Sequence, residues 1–83
     1  MNNSHLDFLI QTLLQIKSNE EMREFLLGIF TPQELIEIPT RLEIIKRLKS
    51  GVAQHKIADD LGVGVATVTR GSKELQKGRF KNI

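Results

Sequence analysis

One glycine set between two short apolar stripes constrains this chain more than any other feature. The stretch reads Gln54-His55-Lys56-Ile57-Ala58-Asp59-Asp60-Leu61-Gly62-Val63-Gly64-Val65-Ala66-Thr67-Val68-Thr69-Arg70-Gly71-Ser72-Lys73-Glu74-Leu75. Ile57, Ala58 and Leu61 fall on the inner face of a short helix, and Val65, Val68 and Leu75 belong to a second. Gly62 stands where the chain must turn, and such a turn needs a positive φ that glycine adopts without steric cost. Ala58, four residues earlier, is small enough to let the two helices cross closely. Together these residues predict a helix-turn-helix. An ordinary helical hairpin has no need of small side chains, hydroxyls and basic residues together on the outside of its second helix.

A unit of this kind lays the start of its second helix in the major groove of a duplex, so the outward side chains there meet base edges. The turn ends at Gly64, and Val65, Ala66, Thr67 and Thr69 come next as the expected readers. Threonine hydroxyls donate or accept, and Val, Ala and the Thr methyls suit the thymine methyl group. None of the four is a long bidentate reader, so water and DNA shape are expected to share in recognition. Gln54, His55 and Lys56 open the first helix within reach of phosphate, and Ser72, Lys73, Lys77, Arg79 and Lys81 are further phosphate candidates. Charge is placed to match. Residues 51–83 carry six Lys/Arg against three Asp/Glu, whereas residues 1–50 carry six against seven.

The rest of the chain reads as helix. Leu6, Leu9, Ile10, Leu13 and Leu14 share one face of a helix over about residues 5–17, with Ser4 and Asp7 as its expected cap. Ser18 and Glu21 start another, lined by Met22, Phe25, Leu26 and Ile29. Thr31-Pro32 with Glu34 combines an N-cap, a proline at the first helical position and an acid three residues after the cap. Pro39 interrupts the helix begun there, which must kink or split; Thr40 and Glu43 form a new capping pair and favour a split into 32–37 and 40–49. Leu42, Ile45 and Leu48 would continue the buried face, and Gly51 would end it. No stretch alternates as a strand does. The expected organisation is one all-α structural domain, with residues 1–50 a helical dimerisation core and 51–83 the DNA-binding head with its basic tail.

At 83 residues, such a fold buries only about two-thirds of its unfolded surface, and a lone copy would be marginal. The chain has no cysteine, which excludes disulfides and thiolate metal sites, and its two histidines, His5 and His55, are far apart; no metal site is expected. Self-association is the remaining support. Gly62-x-Gly64 lacks the preceding strand and the later acid of a dinucleotide loop. No nucleophile is paired with a base, so no catalytic residue is expected and the chain does not read as an enzyme. The N-terminus has no basic region or cleavage site, and no apolar run is long enough for a membrane span. A cytoplasmic protein with no membrane contact is expected.

Residues 31–75 closely resemble the tryptophan repressor family of bacterial regulators, most specifically at Ala66-Thr67-Val68-Thr69-Arg70-Gly71-Ser72, at Thr31-Pro32 with Glu34, and at Thr40-Arg41. The resemblance implies a helical bundle with a helix-turn-helix, two copies intertwined as a homodimer, and a repressor gated by L-tryptophan as corepressor, with no other cofactor. It further implies that Arg41 and Arg70 flank the indole, that Arg70 also meets the carboxylate, that Thr31 supplies a hydroxyl on the carboxylate side, and that Gly71 leaves room beside the ring. Guanidinium groups suit both tasks, being cationic and flat.

The sequence departs from the family at Gly28 and Phe30, where leucine is usual, at Glu74 in place of a serine, and at Pro39 beside Arg41. The connection from Gly51 to Gln54 reads as one residue shorter, and the chain is expected to be a short member lacking the family's closing helix. Two alternatives stand beside a tryptophan-gated repressor. One is a DNA-binding module of the same kind with another effector or none, and the other is a helical protein that uses its N-terminal stripe on a partner.

Overall fold

The computed structural model describes residues 3–83, and among them it has five helices and no strand. Met1 and Asn2, which belong to the N-terminal stretch read as carrying no leader, lie outside the described residues. The helices are α1 (Asn3–Gln15), α2 (Asn19–Ile29), α3 (Pro32–Lys49), α4 (Gln54–Leu61) and α5 (Val65–Gln76). The chain is all-α, as the absence of strand alternation predicts. Compactness divides it into two units, one ending at Leu35 and one running Ile36–Ile83, a different partition from the expected core and head.

In the first unit, the three-four spacing does make helices. α1 begins two residues earlier than expected, so Ser4 and Asp7 lie inside it rather than capping it. Ser18 is the N-cap of α2, its hydroxyl accepting the Glu21 N–H at 3.0 Å. Neither helix contains a buried side chain. Phe8 is 72% exposed and Leu14 77% exposed, so the apolar stripe of α1 is left largely uncovered among the described residues, with Leu13 only partly buried.

α3 opens on a complete capping box. The Glu34 N–H donates to Thr31 Oγ1 at 3.1 Å, and the Thr31 N–H donates to Glu34 Oε1 at 2.9 Å. The expected split at Pro39 does not occur, because Pro39 lies within one continuous helix. The residues expected to start a new helix serve the old one instead. The Thr40 hydroxyl donates back to the Ile36 carbonyl at 2.7 Å, and the Glu43 carboxylate accepts from Arg47 Nε at 2.8 Å. Leu42, expected inside, is half exposed; Ile45 is buried as expected, and Ile44 is buried beside it.

The second unit is organised around Ile44, Ile57, Ala58 and Val68, with Leu48, Val52, Leu61 and Val63 packed against them. Ile57 and Val68 are 0% exposed, so α4 and α5 each drive one side chain into the same core. α3 supplies the floor. A Cβ built on Gly71 would lie 3.2 Å from Ile45 Cδ1 and 3.4 Å from Ile44 Cγ2, which shows how closely α5 crosses α3 at that residue. α3 ends on Gly51 at φ 84°, where the Val52 N–H reaches the Arg47 carbonyl at 3.1 Å.

The turn itself obeys the same rule. Gly62 has φ 66° and the Val63 N–H donates to the Ala58 carbonyl at 3.1 Å, closing α4 so that Gly64 can start α5. No atom lies within 4 Å of a Cβ placed on Gly62 or on Gly64, but only Gly62 has a positive φ. Gly62→Ala therefore isolates backbone strain and should lower stability by about 1 kcal/mol, or roughly 4–8 °C in melting temperature, with Gly62→Asn recovering part of the loss. Gly64→Ala should leave the melting temperature nearly unchanged in circular dichroism melts, and equal losses at both positions would refute the assignment of the strain to the turn.

Candidate nucleic-acid interface

α5 turns its first residues outward because α4 anchors its inner side. Val68 is fully buried with Ile57, while the first turn stays open: Val65, on the same side as Val68, is 41% exposed, and Ala66 and Thr67, on other sides of α5, are also exposed. Gly64 caps α5 in extended conformation with no side chain to screen the first turn. On α4, His55 and Lys56 are exposed and Gln54 is half-buried. Gln54 lies against α5, with Thr69 Oγ1 2.9 Å from its Oε1. Thr69 and Ser72 are half-buried and Lys73 is exposed. Ten of the residues expected to meet DNA therefore lie on α4, on α5 or at the Gly64 cap between them, and none of these is buried; Lys77, Arg79 and Lys81 follow α5 in the tail.

The charges around this edge are not equivalent. Lys56 Nζ is 3.2 Å from Asp60 Oδ2, and that carboxylate also faces Arg47 Nη1 at 3.7 Å. Arg47 in turn bonds Glu43, whose carboxyl is held below its ordinary pKa, first by that hydrogen bond and then by the positive charge of Lys46. Arg47 thus ties α3 to α4, a role the sequence reading did not assign. Its i,i+4 spacing to Glu43 was visible, but the partner on α4 depends on how the helices cross.

The tail folds back on a similar set of pairs. Glu74 receives Arg79 Nε at 3.0 Å and Lys77 Nζ at 3.3 Å, and these two bonds, Arg79 foremost, lower its pKa. Lys49 Nζ donates to the Phe80 carbonyl at 2.8 Å and also to the Ile83 carbonyl. Glu74, which replaces the family's serine, is occupied by cations of its own chain. Among the described residues Arg70 and Lys73 make no ion pair, so their charges remain open to an outside anion.

The residues implied for a tryptophan site come from α3, its cap and α5. Arg41 is exposed on α3, 3.9 Å from Glu37, and lies one helical turn before Ile45. Arg70 is exposed on α5 immediately before Gly71, the residue packed on Ile45 and Ile44. Each arginine is thus near in sequence to the α3–α5 contact, Arg41 four residues before Ile45 and Arg70 next to Gly71. Thr31 belongs to the other compact unit, where its hydroxyl oxygen accepts the Glu34 N–H and caps α3.

Exposed surface pairs contribute little individually, yet each one keeps a cation near an internal carboxylate rather than a phosphate. Arg70→Ala and Lys73→Ala should therefore each flatten the log–log dependence of duplex binding on salt by about 0.9 per copy bound. Lys77→Ala and Arg79→Ala should change that slope by less than half as much. Fluorescence anisotropy over a salt series measures all four, and equal slopes for all of them would contradict this division of the charges.

Comparison with known proteins agrees with the geometry. The family model described as Trp repressor protein matches residues 4–82. A Trp operon repressor homolog of Photobacterium profundum is 43% identical over 72 residues, covering 86% of this chain and 66% of that protein. One from Vibrio campbellii is 33% identical over 69 residues, covering 82% of this chain and 69% of that protein. A Bacillus subtilis protein described as uncharacterized protein YerC is 31% identical over 78 residues, covering 94% of this chain and 75% of that protein. No solved structure matches the chain. A match over nearly the whole length, together with helix-turn-helix geometry at the matching residues, settles the relationship: the chain belongs to the Trp repressor family.

Proposed function

We propose that this chain is a homodimeric transcriptional repressor whose hold on operator DNA is gated by L-tryptophan. Membership in the family makes it a DNA-binding transcriptional regulator and not an enzyme. One observation carries the reading furthest: residues 65–67 stand exposed at the start of α5 while Val68, the next residue, is wholly buried and holds that edge in place. On this reading Val65, Ala66, Thr67 and Thr69 face base edges. Gln54, His55, Lys56, Gly64, Ser72 and Lys73 contact the sugar-phosphate backbone.

Self-association is supported by the uncovered apolar faces of α1 and α2, where Leu6, Phe8, Ile10 and Leu14 remain exposed in the single chain. Two copies would present two reading heads, with half-sites about 34–36 Å apart or at a multiple of that distance. The protein would act on DNA in the cytoplasm. No helix of the described residues is long and apolar enough to cross a membrane.

Tryptophan gating is supported by two exposed arginines, Arg41 on α3 four residues before Ile45 and Arg70 on α5 next to Gly71, which packs on Ile45; Arg70 makes no ion pair among the described residues. A ligand lodged between guanidinium groups would favour one setting of α5 on α3 and so one spacing of the reading edges. A second reading, binding without tryptophan or with another effector, is favoured by Gly71, which close packing on Ile45 and Ile44 explains with no ligand present.

The chain has neither Trp nor Tyr, so the fluorescence of added tryptophan can be followed without protein background. Tryptophan should bind and should tighten duplex binding about 5- to 150-fold, with DNA tightening tryptophan binding by the same factor. Arg70→Ala should abolish that response. Equal duplex affinity with and without millimolar tryptophan, together with no uptake in equilibrium dialysis, would remove the corepressor and leave the second reading.

A further inference from the structure

α4 and α5 are joined by a side-chain hydrogen bond at the edge that faces the proposed duplex. Thr69 Oγ1 is 2.9 Å from Gln54 Oε1 and 3.0 Å from the Val65 carbonyl. A hydroxyl has one proton, so both acceptors share it, and Thr69 is committed within the protein on its donor side. Back-bonding to the carbonyl four residues earlier is ordinary for a helical threonine. The second acceptor, from a different helix and 15 residues away, is not.

The bond has a directional consequence for Gln54. The oxygen and nitrogen of an amide lie on opposite branches of the same planar group, so an Oε1 held by Thr69 sends Nε2 and its two N–H donors away from Thr69. Phosphate oxygens are acceptors only, and the first helix of a helix-turn-helix is the one that crosses the backbone. A free glutamine side chain would lose much of its rotamer freedom when ordered on a duplex. Gln54, half-buried and already held by Thr69, has part of that ordering in place beforehand.

We propose that Gln54 and Thr69 form one contact element, in which Thr69 is a positioning residue that aims the Gln54 amide donors at a backbone phosphate rather than an independent base reader. This rests on the DNA-binding reading above and changes the role of Thr69 within it. The element is neutral, so it adds affinity without adding to the salt dependence.

A double-mutant cycle on the full chain tests the proposal, using a duplex selected by the wild-type protein from a random library. Gln54→Ala and Thr69→Val should each weaken binding about 3- to 10-fold, and the double variant should be no weaker than the worse single one. The salt slope and the preferred sequence should stay as in the wild type. Thr69→Ser, which keeps the hydroxyl, should restore affinity. Gln54→Glu keeps the acceptor for Thr69 but replaces the outward donors with charge, so it should bind more weakly than Gln54→Ala; circular dichroism confirms folding of each variant. Multiplying losses in the double variant would overturn the coupling. So would a change of preferred base caused by Thr69→Val alone. If the wild type binds no duplex at about 50 mM salt, the DNA reading itself fails and takes this proposal with it.

Discussion

The buried contact of Ile57 with Val68 over Ile44 is the constraint on which the reading head depends. α4 has eight residues and α5 twelve, lengths at which an isolated helix is marginal in water. Neither would hold its direction alone. Closing the three side chains into one core fixes the crossing, and truncating either isoleucine to alanine removes about 2–5 kcal/mol, a large part of what a unit this small can have. The outward edge is the geometric complement of that core. With Val68 pinned inside, Ala66 and Thr67 point to other sides of α5 and face solvent, while Val65, three residues before Val68 and on its side of the helix, is left partly exposed in the open first turn.

Electrostatics refine what packing sets. Arg47 links Glu43 on its own helix to Asp60 on α4, and Asp60 also holds Lys56. Glu74 gathers Lys77 and Arg79, and Lys49 gathers the Phe80 carbonyl. A net positive charge in the C-terminal third is therefore not a uniform field. Part of it is spoken for inside the chain; of the part left open, Arg70 and Lys73 lie on α5 beside the outward edge and Lys81 lies in the tail. That coincidence of shape and free charge gives the interface its physical meaning.

Much of this was legible in the sequence because it is local. The stripes of α4 and α5, the glycine between them, the Ser18 cap and the Thr31–Glu34 capping box all depend on residues within one or two turns of each other, and they stand as read. The misreadings come from longer range or from competition. At Pro39 the Thr40–Glu43 spacing fits a cap equally well as a helix interior, and only the bonds to Ile36 and Arg47 decide between them. Leu42 and Ile44 are equally apolar, and the approach of α5 at Gly71 selects Ile44. The Arg47–Asp60 and Lys49–Phe80 contacts join positions 13 and 31 residues apart, beyond any periodicity. The stripe of α1 was visible, but Leu6, Leu9, Ile10 and Leu14 stay exposed, so its spacing alone does not say what it packs against.

The central claim is that α4 and α5 present a groove-reading edge. A titration of the isotopically labelled protein with duplex DNA, monitored through backbone amide resonances, tests it most directly. The account predicts that the largest shifts fall on residues 54–56 and 64–73, with buried Ile57 and Ala58 moving little. Shifts confined to residues 3–30, or none at all at low salt, would contradict it.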